Sequence, residues 1–178
     1  MSYNPDRHHR RSIRIKGYDY SNNGAYYMTI CTQNRELLFG NVKNKEMHLN
    51  EYGNIANKYW LDLSERYPNI MLDEYIIMPN HIHGIIFIQN NDNTVGVIHE
   101  LPLHDPKQRR KMLIPKIVGY FDMNVAKQIN ILRNTRGKRV WQRNYYEHVI
   151  RDEADLNRIR EYIINNPANW YDDENFIP

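Results

Sequence analysis

The stretch from Met78 to Ile88 reads Met-Pro-Asn-His-Ile-His-Gly-Ile-Ile-Phe-Ile, and it ends in an apolar run rich in isoleucine. Such a run, directly after a tight Pro-Asn connection, predicts a buried β-strand. Because side chains alternate along a strand, one face carries Ile82, Ile86 and Ile88, and the other carries His81, His83, Ile85 and Phe87. Both faces are covered by apolar side chains, so we expect this strand in the middle of a sheet.

The His81 and His83 imidazoles emerge side by side from one face of this strand. One interpretation is a core pair whose ring nitrogens are satisfied by hydrogen bonds, as is usual for a histidine in an apolar run. The other is half of a metal site, because burying two imidazoles together requires partners for both. Strand geometry alone leaves both interpretations open.

The remaining elements follow from periodicity and turn residues. We expect a strand at 26–32, a loop and a short polar strand near 45–49, a helix from Asn50 to Pro68, a strand at 70–77, a helix from Pro115, a strand at 140–150 and a helix at 153–165 that Asp152 caps and Pro167 ends. The expected inward positions are Tyr52, Ile55, Ala56, Tyr59, Leu63 and Tyr67 in the first helix and Ile117, Val118, Phe121, Val125 and Ile129 in the second. This order predicts an α+β fold, a ferredoxin-like antiparallel sheet with helices mainly on one face and an added C-terminal helix.

At 178 residues the chain suits one domain with tails. We predict a basic N-terminal arm at 1–24, a single domain at 25–170 that includes a long polar loop at 89–111, and a C-terminal tail at 171–178. Cys31 is the only cysteine, which excludes an intrachain disulfide and a thiolate zinc site and fits a reducing compartment. No apolar run reaches the ~18 residues of a membrane helix, so we expect a cytoplasmic protein with no membrane partner.

Basic residues are grouped, although the formal net charge is only +3. Acid-free runs extend from Arg7 to Lys16 and from Arg133 to Arg143, and a third group lies between Lys107 and Lys116. Any one of these runs is typical of a solvated surface. Three of them beside 14 tyrosines and three tryptophans favour a nucleic-acid partner, because cations contact phosphates and aromatic rings stack on bases.

Tyr162 and Asn166 lie four residues apart on the last predicted helix, beside the apolar stripe of Leu156, Ile159 and Ile163. At 3.6 residues per turn, the tyrosine hydroxyl and the asparagine amide sit one above the other. Taken alone, such a tyrosine is typical of core packing, and an asparagine before proline is typical of a cap or turn. Periodicity does not determine whether this helix meets the two histidines.

Several segments carry a resemblance to a known family. They are MPNHIHGIIFI, the run IPKIVGYF with KQIN after it, and VWQRNYYEHVIRDEADLNRIREYIINNPANW. Together they resemble the single-tyrosine HUH transposases of the IS200-like group, specifically the REP-associated tyrosine transposases. The similarity begins near YYMTICTQNRELLFG and continues to Trp170, so it covers most of the chain. A His-x-His pair after Met-Pro-Asn, combined with Tyr-Ile-x-x-Asn-Pro farther along, is specific.

The resemblance implies a metal-dependent endonuclease and strand transferase. His81 and His83 correspond to the paired metal-binding histidines, Tyr162 to the nucleophile, and Asn166 to the polar residue that completes coordination. The implied ion is Mg²⁺ or Mn²⁺, the implied intermediate is a 5′-phosphotyrosine, and no nucleotide cofactor is expected. The implied substrate is single-stranded DNA with a hairpin of the repetitive extragenic palindromic type. The resemblance favours a monomer over a dimer. It also implies that the protein is located at the nucleoid when DNA is bound.

Expected DNA contacts come from the basic groups and the aromatic residues near them, namely Arg10, Arg11, Arg14, Lys127, Arg136, Lys138, Arg139, Arg143, Tyr145 and Tyr146. In the family, the segment after Ile-Val-Gly-x-Phe is usually Lys-Ser-x-x-Thr-Lys. Here it runs from Asp122 to Lys127 with only Lys127 in common, which weakens the expectation of DNA contacts from that helix. His148 is a candidate general base, and a structural strand histidine is the more usual alternative.

Two further functions stay open. A domesticated relative could grip hairpin DNA or RNA without cleaving it, although the presence of His81, His83, Tyr162 and Asn166 argues against that. A rolling-circle replication initiator or relaxase would share the same chemistry, but the short chain has no helicase segment.

Overall fold

The computed structural model describes residues 18–89 and 111–176. Within these ranges the chain forms six strands, three α-helices and two short 3-10 helices at Gln33–Arg35 and Trp170–Asp172. The strands are β1 Gly24–Cys31, β2 Gly40–Lys43, β3 Glu46–Leu49, β4 Ile70–Ile77, β5 His81–Ile88 and β6 Tyr146–Ile150. The helices are α1 Glu51–Arg66, α2 Leu113–Leu132 and α3 Glu153–Asn165.

Four strands form one antiparallel sheet in the order β4-β5-β1-β6. This is the order of a ferredoxin-like sheet, in which the first and third core strands are central, so the predicted fold class is confirmed. Strand β5 lies between β4 and β1, as predicted from its apolar faces. Among the strands in the described ranges, β2 and β3 pair only with each other.

The two faces of the sheet are covered differently. Helices α1 and α2 pack against each other and against one face, where the larger apolar core includes Trp60, Phe121 and Ile86. In the described ranges, α3 is the α-helix on the other face, where Ile159 and Ile163 meet Ile85 in a smaller core. The histidine pair of β5 points toward this second face because it shares strand parity with Ile85.

The ends of two helices match their sequence signals. The Asn50 side chain accepts a hydrogen bond from the Gly53 amide at the start of α1, and the Asp152 side chain accepts one from the Asp155 amide at the start of α3. The predicted buried stripe of α2 is confirmed in full. The stripe of α1 is partly wrong, because Trp60 is buried whereas Tyr59 is only partly so.

Two strand predictions need correction. The sequence predicts a loop before the strand near 45–49, but residues 40–43 form β2, which pairs with β3 across a turn whose residues Asn44 and Lys45 both have positive φ. The strand expected at 140–150 begins only at Tyr146. Val140 and Trp141 are buried core residues outside any strand, and Trp141 forms only an isolated bridge with Thr32.

Two predicted segments lie largely outside the described residues, the basic arm at 1–24 up to residue 17 and the long loop at 89–111 from residue 90 to 110. In the part of the chain that the structure describes, no helix combines the length and the apolar character needed to cross a bilayer.

Candidate metal and nucleophile site

The histidine pair lies where β5 runs beside β1. In the antiparallel register Thr29 faces His83 and Cys31 faces His81. The two imidazole centroids are 4.4 Å apart, and both side chains are almost fully buried, at 0% and 1% exposure. Such burial of two rings requires partners for their nitrogens.

Asn80 orients the ring of His81. Its side-chain Nδ2 donates to the backbone carbonyl of Asn175 at 2.8 Å, which leaves its Oδ1 to face His81 Nδ1 at 2.8 Å. An amide oxygen only accepts hydrogen bonds, so His81 Nδ1 carries the proton and donates. His81 Nε2 therefore presents a lone pair, and it is buried without a hydrogen-bond partner.

His83 has contacts at both nitrogens. The Tyr27 hydroxyl lies 2.7 Å and the Thr29 hydroxyl 2.9 Å from its Nδ1. On the opposite side of the ring, the Tyr162 hydroxyl lies 3.3 Å from Nε2. Helix α3 and strand β5 therefore meet at His83, a contact that sequence periodicity alone did not predict.

Asp173, from the chain that follows α3, closes the site. Its Oδ2 accepts hydrogen bonds from the Tyr162 hydroxyl at 3.0 Å and from Asn166 Nδ2 at 2.8 Å, and its Oδ1 accepts one from the Asn175 amide at 2.6 Å. Because the amide nitrogen of Asn166 is used in this way, its Oδ1 is left buried and without a partner. The predicted pair Tyr162 and Asn166 thus faces the same carboxylate.

Burial determines the protonation states. It lowers the pKa of His81 to about 4 and holds the pKa of His83 well below its ordinary value, so both rings are neutral at pH 7. Burial acts to raise the pKa of Asp173, but hydrogen bonds from Asn166 and the Asn175 amide outweigh it, and the pKa falls below its ordinary value. Burial, followed by the nearby Asp173 charge, raises the pKa of Tyr162. The site is a phenol beside two neutral imidazoles and a carboxylate.

These donors suit a divalent cation. One ligand atom from each of His81, His83 and Asp173 can be chosen so that all lie within 4.8 Å of one another. His81 Nε2 and Asn166 Oδ1 are buried acceptor atoms that nothing in the described chain satisfies, and a cation would satisfy both. Two imidazole nitrogens with carboxylate and amide oxygens form a mixed donor set of the kind that first-row divalent metals accept.

Asp173 is the residue that sequence reasoning missed. It lies in the acidic run Asp172-Asp173-Glu174, within the segment predicted to be a tail. The run itself was the available signal, since it follows the tyrosine helix closely. Contacts from both sides hold this segment over the site, including those from the Arg35 guanidinium to the Glu174 carbonyl and from the Asn80 amide to the Asn175 carbonyl.

A cleft of about 960 Å³ opens beside the tyrosine, between α3 and β6. Its wall includes Tyr162, Asn166 and Asp173 at one end and Tyr146, His148 and Arg158 farther along. This volume is at the upper end of the range for small-molecule pockets, ~300–1,000 Å³. The histidine pair lies directly behind the wall residues.

The predicted DNA-contacting residues are spread over the molecule. Tyr145 and Tyr146 line the cleft, although Tyr145 also packs against the larger core. Exposed basic residues away from the cleft wall are Lys127 on α2 and Arg136, Lys138, Arg139 and Arg143 on the connection to β6. Arg10, Arg11 and Arg14 lie outside the described residues. His148, the candidate base, bonds Asp155 at 2.7 Å.

Two proteins of Haemophilus influenzae are similar in sequence to this chain. No family model matches the chain. An uncharacterised protein of Haemophilus influenzae is 41% identical over 177 residues, which cover 98% of this chain and 97% of that protein. A second protein of Haemophilus influenzae, assigned as a REP-associated tyrosine transposase, is 29% identical over 151 residues, which cover 84% of this chain and 73% of that protein.

Among solved structures, a REP-associated tyrosine transposase bound to a REP hairpin superposes with a TM-score of 0.51 at 19% identity, covering 92% of this chain and 74% of that one. The fold and the site define the chain as a ferredoxin-like α+β protein in which a helix-borne tyrosine faces a buried His-x-His pair. Within that class, the chain is related in sequence and in fold to the REP-associated tyrosine transposases, which confirms the resemblance predicted from its motifs.

Proposed function

We propose that this protein is a metal-dependent, transposase-like endonuclease that nicks and rejoins single-stranded hairpin DNA through a 5′-phosphotyrosine intermediate. The relationship to REP-associated tyrosine transposases supports a transposase-like role. The observation that carries the chemistry is the position of the Tyr162 hydroxyl, 3.3 Å from His83 Nε2 and 3.0 Å from Asp173 Oδ2. The proposed nucleophile thus lies directly against atoms that could ligate a metal ion.

Tyr162 is the proposed nucleophile. Its oxygen forms a bond to phosphorus while the bond from phosphorus to the 3′ oxygen breaks, and the 3′ oxygen leaves with a proton from solvent. The hydroxyl proton of Tyr162 already points at Asp173 Oδ2, so an acceptor is in place. The phosphotyrosine bond retains the energy of the broken phosphodiester, so rejoining needs no nucleotide cofactor.

His81, His83 and Asn166 are the proposed metal ligands from the motif, and Asp173 is added to them by the geometry of the site. A bound Mg²⁺ or Mn²⁺ supplies Lewis acidity that draws negative charge off the phosphodiester. Asn80 holds His81 in the tautomer with a free Nε2, and the Tyr27 and Thr29 hydroxyls fix the ring of His83 from behind.

Single-stranded DNA with a REP-like hairpin is the proposed substrate. The solved relative is bound to a REP hairpin, and exposed basic residues between α2 and β6 offer phosphate contacts on this chain. Tyr146 on the cleft wall is 38% exposed and offers a ring for stacking. We infer a monomeric active form, because α3 packs on the sheet of its own chain and brings Tyr162 to its own histidine pair.

Covalent trapping tests the proposal. Protein mixed with a labelled hairpin oligonucleotide and Mn²⁺ or Mg²⁺ should give an adduct that survives denaturing gel electrophoresis. Tyr162→Phe should abolish the adduct, whereas Tyr171→Phe, at a residue that is 69% exposed, should retain it. An unchanged adduct in Tyr162→Phe would overturn the assignment of the nucleophile. Tight hairpin binding with no cleavage in either metal would instead favour a non-cleaving hairpin-binding protein.

A further inference from the structure

Helix α3 carries a polar stripe that extends well beyond the nucleophile. Asp155, Arg158, Tyr162 and Asn166 are spaced three or four residues apart, so they lie on one face of the helix. Arg158, Tyr162 and Asn166 all line the cleft. Arg158 is therefore about one helical turn, ~6 Å, from the nucleophile, and Asp155 is about two turns, ~10 Å, from it.

Strand β6 faces this stripe across the cleft. The antiparallel register places Tyr146 opposite Thr29, which in turn faces His83, and it places His148 opposite Tyr27. Tyr146 on β6 is thus two strand spacings, ~10 Å, from His83 on β5. Both walls of the cleft therefore carry polar or aromatic groups ~6–10 Å beyond the metal end, Arg158 on the helix and Tyr146 on the strand.

One carboxylate organises the far end of the cleft. Asp155 Oδ2 bonds His148 Nε2 at 2.7 Å, and Asp155 Oδ1 accepts a hydrogen bond from Arg158 Nη2. The hydrogen bond with His148, followed by the contact with Arg158, lowers the pKa of Asp155, so this group is a carboxylate. Both partners line the cleft, and the guanidinium keeps several donors for a ligand because its side chain is 69% exposed.

We propose that His148, Arg158 and Tyr146 form a subsite for the nucleotide adjacent to the scissile phosphate. Arg158 contacts the phosphate of that nucleotide, His148 holds the Asp155 carboxylate that orients Arg158, and the Tyr146 ring stacks on its base. The inference rests on the proposed function, since it assumes a single strand that runs through the cleft past Tyr162. It assigns His148 to positioning within the subsite rather than to proton transfer at the nucleophile.

Binding measurements in the Tyr162→Phe background test the subsite without requiring cleavage. The probes are a REP-like hairpin oligonucleotide alone and the same hairpin with a single-stranded extension, followed by fluorescence anisotropy. Arg158→Ala and His148→Ala should weaken binding of the extended probe about tenfold and binding of the bare hairpin under about twofold. Arg151→Ala and His48→Ala, at exposed residues away from the cleft wall, remove the same groups and should leave both probes unchanged.

Placing a single neutral methylphosphonate in the extension identifies the contacted phosphate. At one position next to the scissile phosphate it should weaken binding to the parent protein about tenfold and have no effect on Arg158→Ala. Arg158→Lys should recover part of the affinity, because it retains the charge.

Equal losses of affinity for both probes would overturn the subsite. It would also be overturned if, at every position, the methylphosphonate weakened binding of Arg158→Ala as much as binding of the parent protein. Failure of the proposed function would differ from this, because the covalent adduct would be missing while the extension-dependent binding stayed intact.

Discussion

The two faces of the central sheet differ in what their covering helices leave open. One face is closed by α1 and α2 over a continuous apolar core that includes Trp60 and Phe121. The other face is covered by α3 and the segment that follows it, and the apolar contacts of α3 end where the histidine pair, Tyr162 and the cleft begin. One sheet therefore separates a closed apolar face from the face with the proposed site, called the reactive face below, and the same strand β5 contributes Ile82 to one and His83 to the other.

The largest effect is expected from the closed face. Trp60→Ala should lower the free energy of unfolding by about 3–5 kcal/mol, because a fully buried indole packed on Phe121 and Tyr75 leaves a large cavity. Urea denaturation measures this loss. Leu61→Ala, at the next residue and 48% exposed, should cost under about 0.5 kcal/mol. Similar losses for the two variants would contradict the assignment of Trp60 to the core of the closed face.

On the reactive face, stability should instead depend on added metal. Mn²⁺ at a hundred times its Kd should stabilise the protein by about 2.7 kcal/mol, since the ion binds only the folded site. His81→Ala should abolish this gain in thermal melts, whereas His48→Ala on β3 should retain it. A metal-induced shift of the same size in His81→Ala would remove His81 from the ligand set.

Gly84 tests how closely the closed face packs against β5. A Cβ built there would lie 2.2 Å from Cζ2 of Trp60, so Gly84→Ala should destabilise by about 1–3 kcal/mol. Gly119→Ala on α2 has open space around it and should stabilise slightly, because alanine is the better helix former. Urea denaturation of both variants measures the difference in their free energies of unfolding. A difference near zero would mean that Trp60 moves aside to admit the new methyl group.

The smallest effect is expected at the ion pair that ties α3 to β4. Arg160 Nε and Nη2 bond the two oxygens of Asp73 at 2.8 and 2.5 Å, but the pair is partly exposed, so Asp73→Asn should cost about 1 kcal/mol or less. The hydrogen bond from Arg160 lowers the pKa of Asp73, so the stabilisation is present above the unfolded value of ~3.9 and is lost as pH falls further. The difference in Tm between parent and variant should therefore shrink below pH ~4. A constant difference from pH 7 to pH 3 would contradict this assignment.

Much of the fold could be predicted because its signals are local. The caps Asn50 and Asp152, the stripe of α2 and the two faces of β5 are each encoded within a few residues of sequence. Strand β2 could not be predicted, because a polar hairpin held by a turn has no apolar period. The shortened β6 reflects tertiary packing, since Trp141 is buried against Phe39 and Phe121 rather than paired along a strand.

The site was predictable in its parts and not in its assembly. The motif singled out His81, His83, Tyr162 and Asn166, and all four lie together around one point of the structure. Asp173 could not be placed, because its position depends on the turn after Asn166, where the Asn169 amide bonds the Asn165 and Asn166 carbonyls. A charged residue after a helix end normally faces solvent, so only the three-dimensional path of the chain brings it to the tyrosine.

Because of the Asn80 amide, the His-x-His motif cannot be transferred to another protein by its two histidines alone. Because Asn175 fixes one end of this amide and His81 contacts the other, the free lone pair of His81 depends on a residue outside the two histidines. Grafting His81 and His83 alone onto another antiparallel sheet would leave the tautomer of the first ring unspecified. The graft would then contain a mixture of rings with a lone pair on Nε2 and rings with a proton there. The smallest transferable unit runs from Asn80 to His83, and it must bring its own carbonyl to hold the amide.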